Sequence, residues 1–284
     1  MAAAAEKDSS VPVVLPDFIG VGPKRTATTW LYEALRGHVA MPSGVKETFF
    51  FNRHYAKGLE WYAAHFKGRS PGQIAGEMAP SYFHSAEARQ RIAAVLPQCR
   101  IICTLRDPVA RLFSLYKLMR EYGETADTFE DALVREPEML ESSRYTFHLG
   151  QWLRLFGQER VLVLLYDDLL ANPQPFLDSV CRFIGIPAVR ADKVLGRPAE
   201  GKQRVRSQLI ARIGQGAGDW LRSRRLNTAV ETAKRLGLKR LFFSGGNAVA
   251  PLNPATAKRL RAQFRGEIDE LEQLIGRDLS VWKA

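Results

Sequence analysis

Short apolar runs alternate with stretches of helical periodicity along most of this chain. Residues 13–21 read as a strand apolar on both faces, 73–78 as a second strand, and 100–105 and 161–166 as buried strands, the pattern of a sheet covered on both sides. Between and after them, apolar positions recur at helical spacing over 28–36, 59–65, 85–96, 109–122, 128–133, 146–156, 175–184 and 254–274. Pro97 stops the third of these, and Pro42 and Gly44 break a short extended segment over 39–51. A loop is expected at 68–72 and a mobile connection at 136–144. Strands alternating with helices predict an α/β fold of three layers, α/β/α, around a central, mostly parallel sheet. Such sheets bind ligands at the carboxyl ends of their strands. Residues 193–246 are charged, dotted with glycine and without a clear period. The 284 residues fit one large domain over 15–284, with a flexible tail over 1–14 and a basic, partly irregular covering segment over 193–250.

The candidate chemistry sits at two strand ends. After the first strand the chain reads Gly20-Val21-Gly22-Pro23-Lys24-Arg25-Thr26-Ala27-Thr28-Thr29-Trp30. A Gly/Pro turn with two cations runs into threonines that open a helix. Backbone N–H groups and the positive end of the helix dipole would meet an anion there. The third strand ends in Arg106-Asp107-Pro108, and Ser114 follows in the next helix. Two such sites imply one ligand with a phosphate at each end. The first loop is P-loop-like, but it lacks the Gly-Lys-Ser/Thr ending of a P-loop nucleotide kinase, which is the rival enzyme class.

These motifs resemble those of the sulfotransferases that use 3′-phosphoadenosine 5′-phosphosulfate (PAPS), and the heparan-type branch more than the cytosolic phenol and steroid branch. The family loop reads roughly Pro-Lys-Ser-Gly-Thr-Thr-Trp. Aligned on Thr28-Thr29-Trp30, Arg25 stands at its lysine, Thr26 at its serine and Ala27 at its glycine. The resemblance implies that Lys24, Arg25, Thr26, Ala27, Thr28 and Thr29 hold the 5′-phosphosulfate, with Trp30 near the adenine. It also implies that Arg106 and Ser114 hold the 3′-phosphate, with Lys202, Arg204 and Arg206 closing over it. Arg25 becomes the candidate cation on the leaving group.

Lys46-Glu47-Thr48-Phe49-Phe50-Phe51 resembles the heparan-type Lys-Glu-x-x-Phe-Phe segment, whose glutamate is the general base. Partial desolvation by the aromatics would raise the Glu47 pKa and make it a better base. His84 is the second candidate, because histidine is the base in the cytosolic branch. Lys46, Tyr82 and Tyr145 are candidate acceptor contacts. In Glu77-Met78-Ala79-Pro80-Ser81-Tyr82, Met78 stands where heparan-type members carry a lysine. The implied reaction is in-line transfer of a sulfuryl group from PAPS to a hydroxyl of a small-molecule, glycoside or lipid acceptor. It leaves 3′-phosphoadenosine 5′-phosphate (PAP) and needs no metal.

Charge adds one competing class. The formal charge is +11, and residues 197–240 hold twelve Lys/Arg against three acidic residues. A basic nucleic-acid-binding protein is therefore the alternative outside enzymes. No helix-turn-helix, zinc-finger or RNA-binding pattern accompanies the charge, and a polyanionic donor accounts for part of it, so no nucleic-acid partner is expected. Hydrophobic residues at 46% exclude wholesale disorder. The three cysteines form neither a disulfide framework nor a metal-ligand spacing. No stretch approaches the ~20 apolar residues of a membrane span, and residues 1–10 lack a basic segment followed by an apolar one. The expected location is the cytoplasm.

Overall fold

The computed structural model describes residues 14–125, 128–193 and 249–284. Its sheet has four parallel strands, β1 (Phe18–Gly20), β2 (Gly76–Met78), β3 (Arg100–Leu105) and β4 (Val161–Leu165), in the order β2-β1-β3-β4. Ile19 pairs with Glu77 on one side and Ile101 on the other, and Ile101 to Leu105 pair with Val161 to Leu165. The first strand is shorter than its apolar run. Pro16 has no N–H for the ladder, and the Asp17 carboxylate accepts the Ala75 N–H at 2.8 Å, so regular pairing begins at Phe18.

The helices of the described residues are α1 (Thr28–Leu35), α2 (Gly58–Ala63), α3 (Ala86–Val95), α4 (Pro108–Tyr122), α5 (Phe129–Arg135), α6 (Pro137–Glu141), α7 (Tyr145–Phe156), α8 (Tyr166–Ala171), α9 (Pro173–Ile184), α10 (Pro254–Ile275) and α11 (Ser280–Lys283). Side chains alternate across the strands and so feed two cores. Ile19, Ile101, Cys103 and Leu105 pack with α3, α4, α7 and α10 on one face. Phe18, Ile102 and Leu164 pack with α1, α8 and α9 on the other. The result is the expected three layers.

Start and stop residues set the helices locally. Asp107 accepts from Val109 N at 2.8 Å and Ala110 N at 3.2 Å, with Pro108 in the first turn of α4. Asn172-Pro173 and Asn253-Pro254 open α9 and α10 the same way. Each such cap stabilises its helix by about 1 kcal/mol.

Two segments differ from expectation. Residues 136–144 are not a mobile connection: they form α6, followed by buried Ser142 and Ser143. The fully buried Arg111 of α4 orders them, donating to the Met139 carbonyl and the Ser142 hydroxyl at 3.0 Å each, and to the Ser143 hydroxyl. Residues 39–51 hold a single bridge, Ala40 to Ala75, before a π-helical turn at Phe50–His54. Aromatic packing drives that turn, with Phe50 stacked on Tyr62 at 4.6 Å.

Cys99, Cys103 and Cys181 are free and buried, and burial pushes all three thiols up. No helix among the described residues is long and apolar enough to cross a membrane. The covering segment expected over 193–250, with Lys202, Arg204 and Arg206, lies outside the described residues apart from its ends, as does most of the expected tail over 1–14.

Candidate active site

The loop joining β1 to α1 lies against the carboxyl end of β3. A Cβ on Gly22 would collide with the Thr104 backbone and hydroxyl, so glycine is what allows this approach. The buried Thr26 hydroxyl donates to the Pro23 carbonyl at 2.7 Å and shares a second 2.7 Å hydrogen bond with Thr104 Oγ1. Thr26 has one proton to give, so Thr104 is the donor in that second bond. Arg25 and Ala27 both take left-handed backbone, each with φ of 77°. Left-handed residues beside helical ones form the backbone pattern of an anion nest. Ala27 caps α1 without a side-chain hydrogen bond, so no side chain competes for the first-turn N–H groups. Thr28 is buried there and Thr29 is exposed.

Lys46 reaches over this cradle. Its Nζ donates to Thr29 Oγ1 at 2.9 Å and to Thr28 Oγ1 at 3.5 Å. Burial pulls Lys46 down to about 8, helped by Arg25 and opposed by Glu47 and Glu33. Glu47 Oε1 accepts the Ser81 N–H at 3.1 Å. Burial raises its pKa, while Ser81, Lys46 and Lys24 hold it back. Sequence reasoning missed the residue that fixes this segment. Glu77, fully buried on β2, accepts the N–H of Thr48 through Oε1 and the Tyr62 hydroxyl, at 2.9 Å, through Oε2. Burial pushes Glu77 up to about 7. Its signal was an acid inside an otherwise apolar strand.

The candidate second anion site lies at the end of β3. Arg25 Nε donates to Ser114 Oγ at 2.8 Å, and Arg106 Nη1 donates to the Arg25 carbonyl at 3.5 Å. The Arg106 guanidinium lies over the Tyr166 ring, 4.3 Å from its centroid. Arg25, Arg106 and Ser114 thus converge beside the cradle, at the point where the strand order turns from β1 to β3.

The remaining expected residues fall elsewhere. Tyr145 is buried and donates to the Arg106 carbonyl at 2.9 Å, so it holds the strand-end arginine of the candidate second anion site. Tyr82 is also buried, and its hydroxyl accepts the Phe51 N–H at 3.3 Å. Trp30 is core, edge-on to Phe176 at 6.0 Å. His84 Nε2 pairs with Glu138 Oε1 at 2.8 Å. Lys24 is exposed, and its carbonyl accepts from Arg111 at 3.4 Å. Among the described residues, no three His, Cys, Asp or Glu side chains gather as a metal site would require.

This fold and site define an α/β protein with a basic, hydroxyl-lined loop and a second cluster of cations at adjoining strand ends, and a carboxylate beside the first. The sulfotransferase domain family matches residues 15–198, well over half of the chain, and the chain belongs to that family. It is 31% identical over 197 residues to the mouse bifunctional heparan sulfate N-deacetylase/N-sulfotransferase 4, covering 61% of this chain and 22% of that protein. To human heparan sulfate glucosamine 3-O-sulfotransferase 3B1 it is 34% identical over 188 residues, covering 63% of this chain and 48% of the relative. The chain therefore matches less than half the length of these relatives. The crystal structure of a sulfotransferase from Alicyclobacillus acidocaldarius superposes with a TM-score of 0.68 at 21% identity, covering 96% of this chain and 100% of that one, a likeness of fold.

Proposed function

We propose that this protein transfers a sulfuryl group from PAPS to a hydroxyl of a small-molecule, glycoside or lipid acceptor, in the cytoplasm. The observation that carries the reading is Glu47, held by the Ser81 N–H directly after a lysine that sits on the cradle hydroxyls. A base and an anion cradle are thus neighbours, as in-line transfer needs. The cradle at the start of α1 would hold the 5′-phosphosulfate, and Arg106, Ser114 and Arg25 the 3′-phosphate. Glu47 would take the acceptor proton, its raised pKa matching the task. His84, tied to Glu138, is the base in the competing assignment.

Calorimetric titration with PAP and with ADP, followed by labelled-sulfate transfer to a panel of hydroxyl acceptors, tests this. Charge-assisted hydrogen bonds contribute about 1.5–3 kcal/mol each, so PAP should bind at least about 10²-fold tighter than ADP. Equal binding of the two nucleotides would remove the donor assignment.

A further inference from the structure

The cations around the cradle depart from the family pattern at two positions. Arg25, at the family lysine, turns its Nε onto Ser114. Met78, at the second lysine position of the heparan-type segment, is fully buried, with its thioether against Gly20 and α1. Lys46, by contrast, has its ammonium on the hydroxyls of the first two residues of α1. We propose that Lys46 is the catalytic cation of this chain, holding the oxygen that bridges phosphorus and sulfur in the donor, while Arg25 serves the 3′-phosphate. The proposal rests on the reading of the cradle as the phosphosulfate site.

The chemistry fits the position. Nζ presently spends its donors on neutral hydroxyls, which are weaker acceptors than an anionic phosphosulfate oxygen. An ammonium has three donors on a flexible stem, so it can keep a threonine while engaging the donor. In the transfer, the acceptor oxygen bonds to sulfur as the bond from sulfur to the 5′-phosphate oxygen breaks. The electron pair of that bond stays on the phosphate oxygen, where Lys46 neutralises the new charge. The acceptor proton goes to Glu47, and nothing is oxidised or reduced. Burial makes this ammonium more acidic than an ordinary lysine, which strengthens its hydrogen bond to the departing oxygen. At the other end, the planar fork of Arg25 suits a phosphate.

The test compares wild type, Lys46→Met and Lys46→Arg for PAP binding by calorimetry and for release of PAP from PAPS. Release is measured with water alone and with the best acceptor of the hydroxyl panel. Lys46→Met should bind PAP within about tenfold of wild type yet release it at least about 10²-fold more slowly, the loss typical of one transition-state donor. Lys46→Arg should recover part of that rate and move the alkaline limb of the kcat/KM profile upward. A Lys46→Met variant that binds PAP and turns over within threefold of wild type overturns the assignment. So does an unmoved alkaline limb in Lys46→Arg, a measurement that remains decisive if Lys46→Met fails to fold. A wild type that neither prefers PAP to ADP nor releases PAP from PAPS would instead sink the donor reading itself.

Discussion

Lys46 and Glu47 are sequence neighbours whose proton affinities are driven toward each other. Burial disfavours the charged form of both, lowering the lysine to about 8 and raising the glutamate. The proposed mechanism needs Glu47 ionised and Lys46 protonated. The kcat/KM of wild type, which reports the free enzyme, should therefore climb on the acid side as Glu47 loses its proton, and fall again above about pH 8. Glu47→Gln should lose about 10²-fold or more in kcat while keeping PAP affinity. Unchanged turnover in that variant would take Glu47 out of the reaction.

At the scale of elements, buried side chains from distant segments hold the site in shape. Arg111 ties α4 to α6 and to the Lys24 carbonyl of the cradle loop. Arg111→Ala would leave several buried acceptors unpaired and open a cavity, costing about 3 kcal/mol or more in urea unfolding. A loss below 1 kcal/mol would contradict that role. Glu77 sets a pH dependence. Its folded pKa, about 7, lies above the ordinary 4.5, so the protonated form is favoured by folding. The resulting stabilisation is complete below pH 4.5 and is lost as pH rises through 7, a span of about 3 kcal/mol. Glu77→Gln can still accept the Thr48 N–H, and its amide can donate to the Tyr62 oxygen with that bond reversed, all without the charge. It should flatten the thermal-stability profile between pH 5 and 8 and melt above wild type at pH 8; parallel profiles would refute this.

The same elements show what the sequence makes legible. β3 was readable to the residue, because a mostly apolar stretch from Arg100 to Leu105 is closed by Arg106-Asp107-Pro108. α8 was not, since Tyr166 continues the β4 run in pattern while opening the helix in fact. The cradle was legible because it is contiguous. Glu77 and Arg111 were hidden because their partners lie about 15 to 90 residues away in the chain, where periodicity carries no information.

For the whole molecule, adjacency of β1 and β3 brings the two proposed anion sites side by side. The first follows β1 and the second follows β3, so the sheet order itself sets the span between them. Arg106→Ala should accordingly weaken PAP far more than adenosine 5′-monophosphate, with the direction seen in paired titrations. Equal losses for the two nucleotides would argue that Arg106 shapes the loop through the Arg25 carbonyl and does not read the phosphate. The overall class was legible from strand and helix alternation, and the basic stretch over 197–240 was legible only as charge.

The three buried thiols have a practical consequence. Sealed in the cores and held protonated, Cys99, Cys103 and Cys181 are silent toward maleimides and other alkylating dyes as long as the protein stays folded. A single cysteine placed at the 82% exposed Val134 would then be the one that takes a fluorophore. Labelling would require no prior removal of native residues, and single-molecule spectroscopy of nucleotide capture becomes possible on the otherwise unaltered chain.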